Sequence, residues 1–193
     1  MNGFGIIAAC TKRARVIGQN GGIPWVLRED RDYFKRVTKD AALLMGRATW
    51  EESNIHLPHS RATIVMSRDA SFRDSINKIP NVSTVSSFCE ALDAANKLIT
   101  SDTVAPDAVW VVGGEAVYER ALTHSLVREL HLTEIDLAAE EEEKIISAKR
   151  VARFPSEELW SEMYSKLDTV EGAKSGLDGL PTYNFNRYIA NST

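Results

Sequence analysis

Short apolar runs, most of them apolar on both faces, alternate with longer amphipathic stretches along the first two thirds of the chain, and that alternation leaves few folds open. The runs are FGIIAAC (4–10), ALLM (42–45), ATIVMS (62–67), VSTV (82–85) and AVWVVG (108–113). A strand that shows apolar residues to both sides belongs inside a sheet covered on both faces. Between the runs, the spacing predicts helices over 27–38, 49–54, 87–99 with Ser86 or Ser87 as cap, and 115–122. Strand and helix in alternation specify an α/β fold, a mainly parallel sheet with crossover helices.

From residue 129 the pattern changes. ELHLTEID (129–136), ELWSEMYSKL (158–167) and PTYNFNRYI (181–189) read as strands without helices between them, which suits an antiparallel edge. Periodicity adds up to about eight strands and roughly four helices. The segment AAEEEEK (138–144) reads as a solvated acidic loop.

At 193 residues and 44% hydrophobic content the chain is long enough for one sizeable core and short for two, so a single domain over 1–193 is expected. A net charge of -4 provides no basic face for a nucleic acid. No apolar run reaches membrane-spanning length, and MNGFGIIAAC lacks the basic segment and long apolar core of a signal peptide. A cytoplasmic location, with no membrane partner, is the expectation. Cys10 and Cys89 stand alone, as packed thiols do. His56 and His59 flank a proline without further candidate ligands, so no metal is expected.

The stretch GGIPWVLREDRDYF (21–34) starts a helix just after Trp25 and loads it with acids. At about 100° per residue, Leu27, Phe34 and Val37 share one side, and Asp30 lies between Phe34 and Val37 on it, whereas Glu29 and Asp32 point away. The helix dipole accounts for Glu29 and Asp32 as solvated first-turn charges. It does not account for Asp30, because a carboxylate on a core-facing stripe loses its hydration unless something pairs with it. A cationic or amidine-like ligand, held by two parallel hydrogen bonds, would be such a partner. The helix face alone leaves a site acid and a structural acid equally open.

Two strand-to-helix turns suggest what else binds. LLMGRATWEES (43–53) puts Gly46 and Arg47 at a helix start, where backbone N–H groups and a guanidinium can meet an anion. VWVVGGEAVYERAL (109–122) repeats the plan, with Gly113 and Gly114 allowing close backbone approach to a ligand. Two such turns in one α/β domain could grip both ends of a dinucleotide. Ser67 and Arg68, ending a strand in MSR, offer a hydroxyl and a guanidinium to another phosphate.

Taken in order, IIAAC, VIGQNGGIPW, DYFKRVT, MGRATWE, IVMSR, VVGGEAVYE, LHLTEID and the closing aromatic strand resemble the dihydrofolate reductase family over nearly the whole chain. The resemblance implies an eight-stranded, mostly parallel sheet with an antiparallel C-terminal strand, and reduction of dihydrofolate by NADPH. By position it makes Asp30 the acid that grips the pterin, with Trp25 and Thr133 arranging that carboxylate and a proton-delivering water. Ile7, Ala8, Phe34, Val112 and Tyr118 would surround the pterin, Arg31 and Leu57 the benzoyl group, and Arg61 the glutamate tail. The dinucleotide would run along Ala9, Ile17, Gly18, Gly46, Arg47, Ala48 and Thr49, then Val112, Gly113, Gly114, Glu115, Ala116, Val117 and Tyr118. Its 2′-phosphate would fall to Ser67 and Arg68.

The segment from about Lys12 to Gly22 corresponds to a loop that closes over the nicotinamide. Arg31 replaces the family's usual apolar residue, Ser86 a frequent basic one, and 51–61 is a residue longer, which loosens the register of Asn54, Ile55 and Leu57. Expected partners are dihydrofolate and antifolates, with the chain a monomer and no nucleic acid. Two alternatives stay open: a riboflavin-pathway pyrimidine reductase of the same fold, and a folate-binding protein without turnover.

Overall fold

Four of the five apolar runs form interior strands of one large sheet, whereas VSTV (82–85), expected inside it, lies at its edge and is only partly buried. A computed structural model describes residues 3–53, 59–171 and 181–191. In chain order its strands are β1 (Phe4–Thr11), β2 (Val16–Gln19), β3 (Ala42–Gly46), β4 (Ala62–Met66), β5 (Val82–Val85), β6 (Val109–Gly113), β7 (Val127–Asp136), β8 (Val151–Arg153), β9 (Tyr164–Glu171) and β10 (Thr182–Ala190). Eight of them join in the order β5-β4-β3-β6-β1-β7-β10-β9, and β2 pairs with β8 in a separate ribbon. From β5 to β7 every pairing is parallel; β10 is antiparallel to both β7 and β9, so β10 alone runs against the rest of the sheet.

Both faces of the sheet are covered, as the doubly apolar strands require. On one face Ile7, Leu43, Met45, Val65 and Trp110 pack against α1 (Arg28–Val37), α2 (Arg47–Ser53) and α3 (Ala70–Ile76). On the other, Ile6, Leu44, Ile64, Leu130 and Leu132 meet α4 (Phe88–Thr100) and α5 (Glu115–Leu122). Full burial of a leucine such as Leu43 or Leu44 contributes about 1.5–3 kcal/mol. Gly5 is a packing requirement: a Cβ there would lie 2.5 Å from the Trp110 ring. Among the described residues no helix is long and apolar enough to cross a membrane.

Of the two cysteines expected to be packed, Cys10 is buried but Cys89 is exposed. Three further expectations, about the elements, need correction. The described residues hold six α-helices rather than about four, α3 and α6 (Ala139–Ile146) being the additions. For α3 the periodic signal is a single buried residue, Ile76; the helix starts because the Asp69 carboxylate accepts the Phe72 N–H at 3.1 Å. The acidic stretch after Ala138 is α6, a helix and not a loop, because Glu142 and Ile145 turn inward. It also places a helix between strands where none was expected. Finally, 158–167 is not one strand: two 3₁₀ turns, Glu157–Leu159 and Ser161–Met163, precede β9, and they seat Trp160 among Phe154, Tyr164 and Tyr188.

Candidate active site

Helix α1 begins right after Leu27, which is buried, and lays Tyr33, Phe34 and Val37 against the core. Asp30, in its first turn, is only half-buried by residue, yet its carboxyl sits inward. Burial pushes its pKa above the ordinary carboxylate value, and a hydrogen bond from the Thr133 hydroxyl opposes that rise without cancelling it. Thr133 itself is 1% exposed on β7. No cation counts among the causes of the shift. A carboxylate has about four acceptor positions, so one hydroxyl leaves most of them for a ligand. Glu29, Arg31 and Asp32 are exposed, as the helix period requires for Glu29 and Asp32.

Around Asp30 the fold gathers residues distant in sequence. Trp25 packs with Ala9 against Leu27, Ile135 and Tyr183. Ile7 and Ala8 are buried in β1, and Val112 is partly buried in β6. The Tyr118 hydroxyl donates to the Ile7 carbonyl at 2.8 Å. Its pKa is raised, first by burial and then by the charge of Asp30, so the two side chains share one field.

The two glycine turns meet. β3 ends at Gly46 and α2 starts at Arg47; β6 ends at Gly113 and α5 starts at Glu115, with Gly114 between. The Gly113–Gly114 peptide is cis and Gly113 has φ +132°. A Cβ on Gly113 would lie 3.0 Å from the Thr49 Oγ1 and 3.4 Å from the Tyr118 hydroxyl, and one on Gly114 would lie 3.1 Å from the same Thr49 oxygen. A Cβ on Gly46 would meet Val117 at 3.3 Å. The bare backbone therefore faces the Thr49 hydroxyl at Gly113 and Gly114 and the Val117 side chain at Gly46, in each case where a side chain would crowd it. Ala48 and Ala116 are exposed at the two helix starts, and the Glu115 carboxylate accepts the Arg153 N–H at 3.0 Å.

Beyond the turns, Arg47 is 2.7 Å from both Glu51 and Asp69 and lies over the Phe72 ring. Its charge is thus balanced twice within the chain. The Ser67 hydroxyl accepts the Asp69 N–H at 3.2 Å, and Arg68 is exposed. Where the family often carries a basic residue, Ser86 bonds Glu90 through both its N–H and its hydroxyl, at 2.9 and 2.7 Å. Arg61 lies 3.6 Å from Asp40 on an exposed surface. Leu57, with Asn54 and Ile55, falls outside the described residues.

The segment 12–22 is tied down along its length. β2 pairs with β8, Ile17 packs against the core, and Gln19 and Gly22 exchange backbone bonds of 2.7 and 3.0 Å. A Cβ on Gly18 would lie 3.9 Å from the Glu52 carboxylate of α2, so the segment runs beside the first glycine turn. Its start is held by Glu142 of α6, which is 5% exposed. That carboxylate accepts the Arg13 Nε–H and the Ala14 N–H, each at 2.8 Å, and the Thr11 hydroxyl. Burial raises its pKa, but these donors win and hold it below the ordinary value.

Sequence reasoning missed Glu142, which a run of four glutamates conceals. It also missed that Tyr33 of α1 meets His131 at 2.7 Å and that His131 meets Glu129 at 2.9 Å; the only signal for the two β7 residues is that 129, 131 and 133 alternate on the Asp30 side of the strand.

Fold and site together define an α/β domain with a buried acid beside paired glycine turns. The family model for dihydrofolate reductase matches residues 4–158. A Caenorhabditis elegans relative is 35% identical over 132 residues, 62% of this chain and 65% of that protein. The dihydrofolate reductase of Candida albicans is 32% identical over 196 residues, 93% of each chain. Among solved structures, dihydrofolate reductase from Enterococcus faecalis, complexed with NADP(H) and RAB-propyl, superposes with a TM-score of 0.74 at 23% identity. That superposition covers 99% of this chain and 98% of the other. The chain belongs to the dihydrofolate reductase family, whose members are NADPH-dependent oxidoreductases.

Proposed function

We propose that this chain reduces 7,8-dihydrofolate to 5,6,7,8-tetrahydrofolate with NADPH, as a single cytoplasmic domain that supplies reduced folate to one-carbon and thymidylate metabolism. The observation that carries the reading is the Asp30 carboxyl, buried, raised in pKa and facing Thr133 with acceptor capacity to spare. A pterin offers the matching group, an amidine edge that meets a carboxylate through two parallel hydrogen bonds.

The backbone cradle at Gly113, Gly114 and Gly46, which a Cβ would fill, fits a dinucleotide. Val112, Val117, Tyr118 and Thr49 border that cradle; Arg47, Ser67 and Arg68 would hold phosphates farther out. When bound, NADPH supplies the hydride.

Everything else falls to the chain's own residues. Hydride reaches the C=N carbon readily only if the neighbouring nitrogen gains a proton. Asp30, buried against Thr133, keeps a proton available closer to neutral pH than an exposed acid would, and a water held by Asp30 and Trp25 is the carrier. Ile7, Ala8, Phe34 and Val112 exclude bulk water from the ring, while Arg61 reaches the glutamate tail at the surface. The segment 12–22, anchored at Thr11, Arg13 and Ala14, covers the site beside α2.

The test is NADPH oxidation by the purified chain with dihydrofolate, followed by absorbance, with and without methotrexate. Dihydrofolate-dependent oxidation that methotrexate abolishes is the expected outcome. Saturable NADPH binding without such oxidation would reject the activity.

A further inference from the structure

Glu129, His131 and Thr133 alternate along one face of β7, and α1 lies across that face so that two pairs meet. The Thr133 hydroxyl reaches Asp30, and the His131 Nδ1 lies 2.7 Å from the Tyr33 hydroxyl. Asp30 and Tyr33 are one helical turn apart, and His131 and Thr133 are nearest same-face neighbours on the strand. The helix is therefore pinned to the strand at two successive points.

The second pin continues along β7 toward the surface. The His131 Nε2 lies 2.9 Å from the Glu129 carboxylate, which also receives the Arg187 Nε–H of β10 and an N–H of Arg128, each at 3.3 Å. A carboxylate only accepts, so Nε2 carries the proton, and in that tautomer Nδ1 accepts the Tyr33 hydroxyl. His131 is 8% exposed, with the Trp110 edge against it at 5.0 Å between centroids. Tyr33 stacks between His131 at 5.8 Å and Phe185 at 4.4 Å. The charged and titratable groups around the pair are Glu129 and Arg128 of β7, Arg187 of β10, Arg36 of α1 over the Tyr33 ring, and Asp168 of β9 acting on Tyr33. With the Tyr33 hydroxyl donating to the ring and the ring donating to the Glu129 carboxylate, the chain has a single low-energy arrangement.

We infer that His131 is a positioning residue for Asp30: through Tyr33 it clamps α1 onto β7 and fixes how deeply the Asp30 carboxyl sits beside Thr133. The inference rests on the reading of Asp30 as the acid that handles the proton. Loosening the clamp lets water reach Asp30, which lowers its pKa and moves the fall of hydride transfer to lower pH.

The experiment measures single-turnover hydride transfer against pH, steady-state KM and kcat, and thermal melting, for His131→Leu, Tyr33→Phe, the double variant and His131→Gln. A glutamine can accept from Tyr33 and donate to Glu129, so it should keep the wild-type pH profile. His131→Leu and Tyr33→Phe should each slow hydride transfer about tenfold at neutral pH, shift its profile to lower pH, and leave NADPH KM within about twofold. The double variant should be no worse than the poorer single one.

Variants that melt earlier but keep the wild-type pH profile would overturn the inference, as would additive losses. Asp30→Asn, run alongside, separates the two claims. If it alone abolishes pH-dependent transfer, the acid stands and the clamp is wrong; if it changes nothing, both fall.

Discussion

Asp30 and Glu142 are both first-turn acids on short helices, both turned inward, and their environments push them in opposite directions. Asp30 has one hydroxyl, and burial prevails, so its pKa rises. Glu142 has a guanidinium, a backbone N–H and a hydroxyl, and the donors prevail, so its pKa falls. Burial is a cost common to both; the supply of donors decides the outcome. A saturated carboxylate is committed to holding the chain together, here the start of the 12–22 segment. An unsaturated one keeps acceptor positions free, which the proposed function assigns to a ligand.

The largest expected effect is on chemistry. Asp30→Asn should fold and bind NADPH, yet lose about 10²-fold or more of its dihydrofolate turnover at neutral pH. Part of the loss should return at low pH, where the substrate arrives already protonated. The neutral amide also offers a diaminopyrimidine cation no countercharge, so antifolate affinity should fall in the same variant. Turnover equal to wild type at pH 7 would remove Asp30 from the mechanism and erase the contrast with Glu142.

The contrast also explains how far the sequence could be read. Asp30 was legible because the helix period places it on the stripe of Leu27, Phe34 and Val37, and a charge on such a stripe demands a partner. The inner strands and the glycine turns were legible for the same kind of reason, a local pattern with one physical solution. Glu142 was not, since four consecutive glutamates look alike until a distant segment supplies Thr11, Arg13 and Ala14. Arg47 read as a free anion-binding group because Asp69, which shares its charge, lies 22 residues away. His131 on an alternating strand reads as any core histidine until α1 brings Tyr33 to it. What escaped was decided by pairings across the fold, which no window of sequence contains.

A smaller effect, on stability, should follow from emptying the saturated site. Glu142→Gln keeps the shape but puts an amide against Arg13 and removes the charge that three donors address. Hydrogen bonds to a charged group are worth about 1.5–3 kcal/mol. For a chain of this size that amounts to a Tm lower by roughly 3–12 °C at neutral pH. The Ala14 N–H, which donates to Glu142, should exchange with solvent faster while amides in β1 and β7 do not. An unchanged Tm would mean that the segment is held by the β2–β8 ribbon and the Arg15–Glu157 pair without help from α6.

The smallest effect is the most discriminating, because the two acids should bend the pH dependence of stability in opposite senses. Asp30 has a folded pKa above its ordinary value, so it binds protons more readily folded than unfolded. Its stabilising contribution is complete below the ordinary carboxyl range and is lost as pH rises through the folded pKa. Glu142 has a folded pKa below its ordinary value; its contribution is complete above that value and is lost as pH falls through the folded pKa. Asp30→Asn should therefore melt progressively higher relative to wild type as pH rises from about 4 to 7, each kcal/mol reading as about 2–4 °C. Glu142→Gln should show its largest deficit near neutrality and a shrinking one in acid. Melting curves of the three proteins across that range decide the matter: if both differences slope the same way, the environments of the two carboxylates have been misassigned. Crossing slopes would establish from stability alone, with no substrate present, that one acid is kept short of partners and the other is not.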